Sequence, residues 1–417
     1  MADAGAPSPS TRVAGRRPWL GRRVVLGVTG GIAAYKAVQL ARDLALHGSD
    51  VDVVMSAAAL EFVGPLSFEA LTGRAVLTEL VASGHALDHI RLAREADVVC
   101  VAPATADFLA RSSIGRADDL LAAILLATRA PVLLAPAMND RMWGHAQTQA
   151  NVAHLRTLGY GFVGPATGPL AWDEGEGPGR MEEPHIILQY IGRTLGAEPT
   201  WRDRRVLVTA GPTREPVDAV RVLSNRSSGR MGLALAAAAW RRGADVVLVT
   251  GPTQLPMPVG PRVLRVQTAD EMADAVAAEL QHASVLLMAA AVADFRPART
   301  FAGKIKKEAR PAALELESAP DILHVTRSRR RGDAVIVGFA LETGDGREPA
   351  RAKLRDKGLD LIVLNPADEK AAGFDAETNR VTFLDAAGGE ESLPLLGKDD
   401  VADAILDRVR ALLESRA

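Results

Sequence analysis

The sequence contains a single cysteine, Cys100, so no disulfide can form within the chain and no cysteine pair is present to hold zinc. It has no H-E-x-x-H spacing and no G-x-x-x-x-G-K-[ST] phosphate loop, and neither of its two strand-to-helix glycine loops reads G-x-G-x-x-G. These absences argue against a zinc hydrolase, a P-loop nucleotidase and an NAD enzyme. A net charge of −2 gives no overall field to draw the protein to nucleic acid or to an anionic membrane. The one basic run, Arg327 to Arg331, reads as a solvated helix end. No apolar stretch is long enough to span a bilayer, because Arg129 and Pro131 divide residues 120–138 into a helix-like LLAAILLAT and a strand-like VLLAPAM. The first 20 residues are rich in Ala, Pro, Ser and Arg and lack an apolar core, which predicts a disordered tail rather than a signal peptide, and a cytoplasmic protein.

What is present is an ordinary soluble composition, 48% hydrophobic and 24% charged over 417 residues, enough for two or three domains. The most informative stretch is Arg205 to Gly232. An apolar run, Val206 to Val208, ends in Thr209, Ala210 and Gly211, and a Gly/Ser/Asn-rich turn leads into the helical pattern LALAAAAW. A helix N-terminus has unpaired N–H groups and positive dipole character, so such an entry suits an anionic group. Any exposed loop of an αβ protein also uses small residues, and the pattern alone leaves both readings open. From Arg22 the same plan occurs earlier: strand, glycine turn, helix, glycine stop (Gly48, as Gly243 later) and a second strand opening in Asp-Val. Two βαβ starts predict a parallel sheet in each half, with ligands beyond the carboxyl ends of the strands. ADVVCVAP, where Cys100 reads as a small buried hydrophobe, and PVLLAPAM continue the first half; VLLMAAAV, AVIVGFAL and LDLIVLN continue the second.

Between them lies GPATGPLAWDEGEGPGRM, whose length without periodicity predicts a functional flap. A helix over roughly Pro184 to Leu195 then precedes polar GAEPTWRDR, where the domain boundary falls. The expected organisation is a tail over 1–20, a first domain over 21–195, a linker over 196–203 and a second domain over 204–417.

Taken one at a time, candidate site residues are ambiguous. The first glycine turn is G-x-x-G-G (Gly27, Gly30, Gly31), and Met55 and Ser56 stand where a ribose-binding acid would end the next strand. His89 fits packing or catalysis. Asn139, directly after a strand end, fits a turn or a carboxylate ligand. Lys304, Lys306 and Lys307 fit a solvated surface or a segment closing over an anion.

Together the motifs resemble the bifunctional phosphopantothenoylcysteine decarboxylase/phosphopantothenate–cysteine ligase family of coenzyme A biosynthesis. The resemblance runs from Gly21 to Leu413 and rests on GVTGGIAAYK, HI followed by AD, APATAD, GRADDLL and PAMN, then on TAGPTREP, VRVLSNRSSGRMG, AAVADF, KIKK, GFALET and DLIVLN. It implies an α/β protein of two domains, an N-terminal flavodoxin-like or Rossmann-like parallel sheet and a C-terminal Rossmann-like ligase domain. It further implies that CTP, arriving with Mg²⁺, activates 4′-phosphopantothenate as an acyl-cytidylate that the amine of cysteine attacks, and that an FMN-dependent decarboxylation follows. By motif, Lys304 stabilises charge during nucleotidyl transfer, Asn225 orients the activated acyl group, and Arg221 is the basic residue beside it. Ala289, Ala290, Asp294, Pro320, Asp321, Ile322, Leu323, Phe339, Lys353 and Lys357 match CTP-contacting positions. In the first domain Gly30, Gly31, Ile32, Ser56, Ala104 and Thr105 match flavin-contacting positions, His89 the catalytic histidine and Asn139 the ligand of the substrate carboxylate. No protein-held metal is implied. The same resemblance implies a homo-oligomer with trimer contacts through the flavin domain and dimer contacts through the ligase domain.

One departure stands out. The family flap reads close to L-A-C-G-x-x-G-x-G-R-M, its cysteine giving a proton to the enethiolate; here the flap is LAWDEGEGPGRM, with Trp172 in the cysteine's place and one extra residue. Indole cannot donate that proton. Asp173, Glu174 or Glu176 are the acids at hand. The departure leaves two other readings, a ligase with an impaired or altered decarboxylase domain and an FMN-binding oligomeric regulator.

Overall fold

The strands of both halves are apolar on both faces, a pattern that forms only where helices cover both sides of a sheet. The computed structural model describes residues 17–81, 87–173, 175–306, 313–366 and 376–416, and the chain divides into two units, residues 17–196 and residues 197–417. The first unit runs β1 (Arg23–Val28), α1 (Ala34–Leu46), β2 (Asp50–Met55), α2 (Leu66–Thr72), α3 (Asp88–Glu95), β3 (Val98–Ala104), α4 (Ala106–Ser113), α5 (Leu120–Ala127), β4 (Val132–Pro136), α6 (Asp140–Gly144), α7 (Ala146–Thr157), β5 (Gly161–Phe162), β6 (Ala166–Pro169), β7 (Glu176–Arg180) and α8 (Pro184–Gly196). Five strands form one parallel sheet in the order β2-β1-β3-β4-β5. Alternate side chains go to opposite faces. Val24, Leu26 and Val28 pack with Leu40 and Leu44 of α1 and Ile187 and Ile191 of α8. Val25 packs on the other side, with Phe108 of α4, Leu121 and Ile124 of α5 and Leu155 of α7.

The second unit runs β8 (Arg205–Ala210), β9 (Arg214–Pro216), β10 (Val222–Ser224), α9 (Arg230–Arg241), β11 (Asp245–Thr250), β12 (Arg262–Arg265), α10 (Ala269–Leu280), β13 (Val285–Met288), β14 (Phe295–Pro297), β15 (Leu316–Ser318) and α11 (Ile322–Val325). It continues through β16 (Val335–Glu342), α12 (Arg347–Asp356), β17 (Leu361–Pro366), β18 (Thr378–Asn379), β19 (Thr382–Asp385), β20 (Glu390–Ser392), β21 (Leu396–Gly397) and α13 (Lys398–Ser415). Its main sheet has the order β12-β11-β8-β13-β16-β17-β19-β20. Leu207 lies in a core with Met272 and Val276 of α10 and Leu354 of α12. On α9, Gly232 is required by close approach, since a Cβ there would stand 2.5 Å from that of Ala210 on β8.

Four sequence expectations need correction. The second sheet is not wholly parallel: β19 pairs antiparallel with β17 and β20 with β19. The turn between β8 and α9 contains an antiparallel pair, β9 with β10, so it is longer and more structured than its counterpart after β1. Trp19 falls in the stretch expected to be a tail, yet it is 6% exposed, donates from Nε1 to Leu188 O at 3.0 Å and occupies the space over Gly192. A large aromatic with a paired N–H is worth burying even at a chain end. The basic run is not simply solvated. Arg330 donates to the carbonyls of Lys357, Gly358 and Leu323, closing the C-terminal end of α12 against α11, where cations offset the helix dipole. Among the described residues no helix is long and apolar enough to cross a membrane.

Trp19→Ala should cost about 3–5 kcal/mol and lower the melting temperature of the first unit. An unchanged melt would show that the residues before β1 add nothing to its stability.

Candidate functional sites

The first cavity opens where the chain reverses direction across the sheet. From β1 it goes to β2 on one side and then returns to β3 on the other, so the loops after β1 and β3 part and leave a crevice at their carboxyl ends. The cavity measures about 830 Å³ and gathers Gly30, Gly31, Ile32, Ser56, Thr105 and Asn139, residues that lie as far apart as 109 positions and meet only through the parallel topology. A Cβ on Gly30 would come within 2.4 Å of Ala58 Cβ, whereas one on Gly31 would meet only Thr105 Cγ2 at 3.7 Å. Gly30 is therefore demanded by packing, and Gly31 keeps the cavity wall open. Ser56 and Thr105 each cap the turn or helix that follows, accepting from Ala59 N and Phe108 N. Thr29 Oγ1 ties the two loops by donating to Pro103 O at 2.7 Å and accepting from Thr105 N at 3.2 Å.

Asn139 caps α6, its Oδ1 accepting from Arg141 N at 2.9 Å. That bond fixes the amide orientation and leaves its NH₂ as a donor at the cavity wall. Ala104, by contrast, is fully buried in β3 and does not line the cavity; its carbonyl accepts from Ala137 N and aligns the ends of β3 and β4. His89 also lies outside the lining. It sits in the first turn of α3, half-buried, with Nδ1 buried and without a hydrogen-bond partner.

The expected flap is an antiparallel hairpin of β6 and β7, and Pro169, Leu170, Ala171, Gly179, Arg180 and Met181 line the cavity. Its return strand is clamped to the stretch that carries Asn139. Met138 N donates to Gly179 O at 2.9 Å, and a Cβ on Gly179, at φ 151°, would stand 2.2 Å from Met138 O. Lys36 of α1 reaches the end of the hairpin, donating to Met181 O and pairing with Glu183, both at 3.0 Å. Lys36 and then Arg180 hold the Glu183 carboxyl below its usual range, against the opposing effect of burial. At the tip Trp172 is 98% exposed. Asp173 follows with φ 64°, Glu176 is exposed at the start of β7, and Glu174 lies outside the described residues. Cys100 lies in the middle of β3, where burial pushes its thiol up to about 12, so it is inert as an acid at neutral pH. A further cavity residue, Arg111, was not singled out by sequence; it bonds Asp107, Asp118 and Asp119.

The second cavity, about 330 Å³, lies at the carboxyl ends of the central strands of the second unit. It is lined by Asn225, by the Ser227–Met231 entry to α9, and by every expected CTP-contacting position: Ala289, Ala290, Asp294, Pro320 to Leu323, Phe339, Lys353 and Lys357. The loops after β8 and β13 are laced together. Ala290 N donates to Thr209 Oγ1, Ala291 N to Gly211 O and Ala293 N to Thr213 Oγ1, while Asn225 Nδ2 donates to Val292 O at 2.9 Å. On the opposite wall Lys353 donates to Phe339 O at 3.0 Å and Lys357 pairs with Asp321 at 2.9 Å. Burial first, and then the neighbouring Lys357, push the Lys353 ammonium below its usual value.

Arg221 and Lys304 are exposed and lie outside the lining; Lys306 is exposed as well, and Lys307 lies outside the described residues. Arg221, and the backbone of Ile305 next to Lys304, are held by a residue that sequence reasoning passed over. Asp218, with a fully buried side chain, accepts from the backbone N–H groups of Val220, Arg221 and Ile305 and pairs with the Arg221 guanidinium at 3.3 Å. Burial pushes this carboxyl up, but the N–H donors and Arg221 outweigh it and hold it below the usual carboxylate range. The TREPVD stretch carried the signal, an acid three residues before Arg221 where a turn is expected. Among the described residues no group of three or more His, Cys, Asp or Glu is placed to hold a metal ion.

Residues 15–196 match the family described as Flavoprotein, and residues 201–413 match the DNA/pantothenate metabolism flavoprotein C-terminal domain. The chain is 46% identical over 407 residues to the coenzyme A biosynthesis bifunctional protein CoaBC of Mycobacterium tuberculosis, covering 94% of this chain and 97% of that one. It is 42% identical over 394 residues to the protein of the same name from Escherichia coli K12, covering 93% and 97%. Among solved structures, the C-terminal domain of a coenzyme A biosynthesis bifunctional protein CoaBC shares 37% identity, covering 52% of this chain and all of that one, with a TM-score of 0.45.

Gly179→Ala should force β7 off Met138 and make the hairpin cleave faster in limited proteolysis; an unchanged rate would show that the clamp does not hold it. Because the Asp218 pKa is depressed, its tie is complete above the ordinary carboxylate range, about 4, and is lost as pH falls through the lower folded value. Asp218→Ala should speed amide exchange at Val220, Arg221 and Ile305 at neutral pH, and the difference from the unaltered protein should close in acid.

Proposed function

The chain belongs to the CoaBC family of bifunctional coenzyme A biosynthesis enzymes, and from that premise we propose the assignment of its two sites. The second unit joins 4′-phosphopantothenate to cysteine at the expense of CTP, and the first decarboxylates the product to 4′-phosphopantetheine. The observation that supports the pairing is that one chain holds two cavities at parallel strand ends, one walled by a glycine turn and an amide donor, the other by a helix N-terminus and lysines. Both steps take place in the cytoplasm.

In the ligase site the substrate carboxylate attacks the α-phosphorus of CTP, pyrophosphate leaves, and the amine of cysteine then displaces CMP from the acyl carbon. Asn225 holds the activated acyl group with its amide, anchored by Val292 O. Lys304 and Arg221, the latter and the backbone of Ile305 held by Asp218, come in from the rim to offset charge that develops on the phosphoryl oxygens. The N-terminal end of α9 and Lys353 and Lys357 take the remaining negative charge. Mg²⁺ enters with the triphosphate, whose oxygens bind it.

The first cavity fits FMN. Its volume lies within the range of cofactor pockets, about 300–1,000 Å³, and its wall of Ile32, Ala57, Met138 and Leu170 beside the Thr29, Ser56 and Thr105 hydroxyls matches a flat, largely apolar ring system with polar edges. When bound, FMN supplies a two-electron sink that makes loss of CO₂ feasible and then returns the electrons. Asn139 donates to the departing carboxylate and fixes its direction. His89 comes from a neighbouring copy of the chain, which accounts for its place outside the lining of its own cavity. The proton that completes reduction comes from an acid of the hairpin, Asp173, Glu174 or Glu176, because Trp172 cannot give one. Trimers form through the flavin unit and dimers through the ligase unit.

The test is to supply purified protein with 4′-phosphopantothenate, CTP, Mg²⁺ and cysteine and to identify products by mass. Phosphopantetheine is expected; accumulation of phosphopantothenoylcysteine alone would refute the decarboxylase assignment. His89→Asn should abolish CO₂ release, by at least 100-fold, while the flavin spectrum and ligase rate persist. Should Asp173→Asn, Glu174→Gln and Glu176→Gln, singly and combined, all leave the reduced product unchanged, the hairpin is not the source of the proton.

A further inference from the structure

Two side chains in the ligase cavity have no task in the scheme above. Asn365 stands near the end of β17, opposite Leu341 of β16, and Asn379 lies on β18, which β21 pins in place by antiparallel pairing. Both line the cavity beside Lys398. Asn379 is 2% exposed, and the Oδ1 atoms of both residues are buried with no hydrogen-bond partner. A buried amide oxygen left unpaired is disfavoured, and the exceptions call for an explanation. Two in one cavity point to a ligand that brings hydrogen-bond donors to that wall.

Sheet order identifies which part of the ligand this is. Asn225 and the entry to α9 belong to the β8 and β13 end of the cavity, where the acyl group is activated. From β13 the sheet continues through β16 to β17, two strand spacings or about 10 Å away. The amine of cysteine must stay at the acyl carbon and cannot reach so far. The phosphate of the other substrate would bring acceptors against bare acceptors. A pyrimidine base carried on a triphosphate does reach, and cytosine presents there an exocyclic amine, a donor for a carbonyl-type oxygen, where uracil presents a carbonyl.

We propose that Asn379, with Asn365 beside it, reads the 4-amino group of cytosine and so sets the preference of the ligase for CTP over a 4-keto pyrimidine nucleotide. The inference rests on the CTP assignment above. Selectivity of this kind comes from matching a buried polar group and leaving it unpaired with the wrong substrate.

The experiment compares CTP with UTP in the full-length enzyme under saturating 4′-phosphopantothenate and cysteine. Asn379→Leu should raise KM for CTP at least ten-fold and leave kcat/KM for UTP unchanged or higher, so that the CTP/UTP preference falls at least ten-fold. Asn379→Asp, which keeps the acceptor, should retain the preference, and it also serves if the leucine variant does not fold. Equal losses with both nucleotides, a loss of preference in Asn379→Asp, or an effect confined to KM for cysteine or 4′-phosphopantothenate would overturn the proposal. An unaltered enzyme that consumes no CTP would instead overturn the ligase assignment beneath it.

Discussion

Both sites depend on one constraint of parallel sheets: a chain that starts in the middle must return to the other side of its first strand. In the first unit β1 lies between β2 and β3, and in the second β8 lies between β11 and β13. The loops that leave these central strands part in opposite directions, and backbone N–H and C=O groups at the strand ends are left to face whatever fills the crevice. The glycines, threonines and alanines there follow from this. Thr29 joins the loops of the first crevice and Thr209 and Thr213 those of the second, because a hydroxyl can satisfy backbone on both sides of a narrow gap without filling it.

The two crevices then diverge in what covers them. In the first, the hairpin of β6 and β7 lies against the strand ends and is held at its return strand by Gly179 and at its end by Lys36. At its tip Trp172 is almost fully exposed. The part of the hairpin beside Asn139 is thus tied, and the residue that differs from the family pattern, Trp172, is one against which its own chain packs almost nothing. A change of residue type is tolerated best where nothing packs against it, so the substitution at 172 is compatible with an intact cavity wall.

Much of this was legible in the sequence wherever local pattern and topology agree. Apolar runs ending in small residues gave β1, β3, β4, β8 and β13 and placed Gly31, Thr105 and Asn139 at strand ends. The antiparallel β19 and β20 were missed because their burial and spacing carry no sign of direction, and β9 with β10 because a Gly/Ser/Asn-rich loop conceals a three-residue pairing. Asp218 was missed because its role is to accept backbone N–H groups from a segment 87 positions away, and no periodicity records such a bond. Asn365 and Asn379 were missed for the same reason. Each is an ordinary polar residue near the end of a strand, and only the structure shows that their oxygens are buried and unpaired beside a cavity.

The electrostatics of the ligase cavity explain why its cations are distributed as they are. Lys357 is paired with Asp321, so one lysine on that wall is already neutralised and keeps its position without a ligand. Among the described residues Lys353 has a carbonyl for a hydrogen-bond partner, and burial together with Lys357 disfavours its charge. A polyanion entering the cavity reverses that balance, because the charge that was costly beside another lysine is favourable beside phosphate. Binding free energy is therefore concentrated on a ligand that brings negative charge past Phe339, and a neutral nucleoside, which gives Lys353 nothing in return for its desolvation, gains little from the same wall.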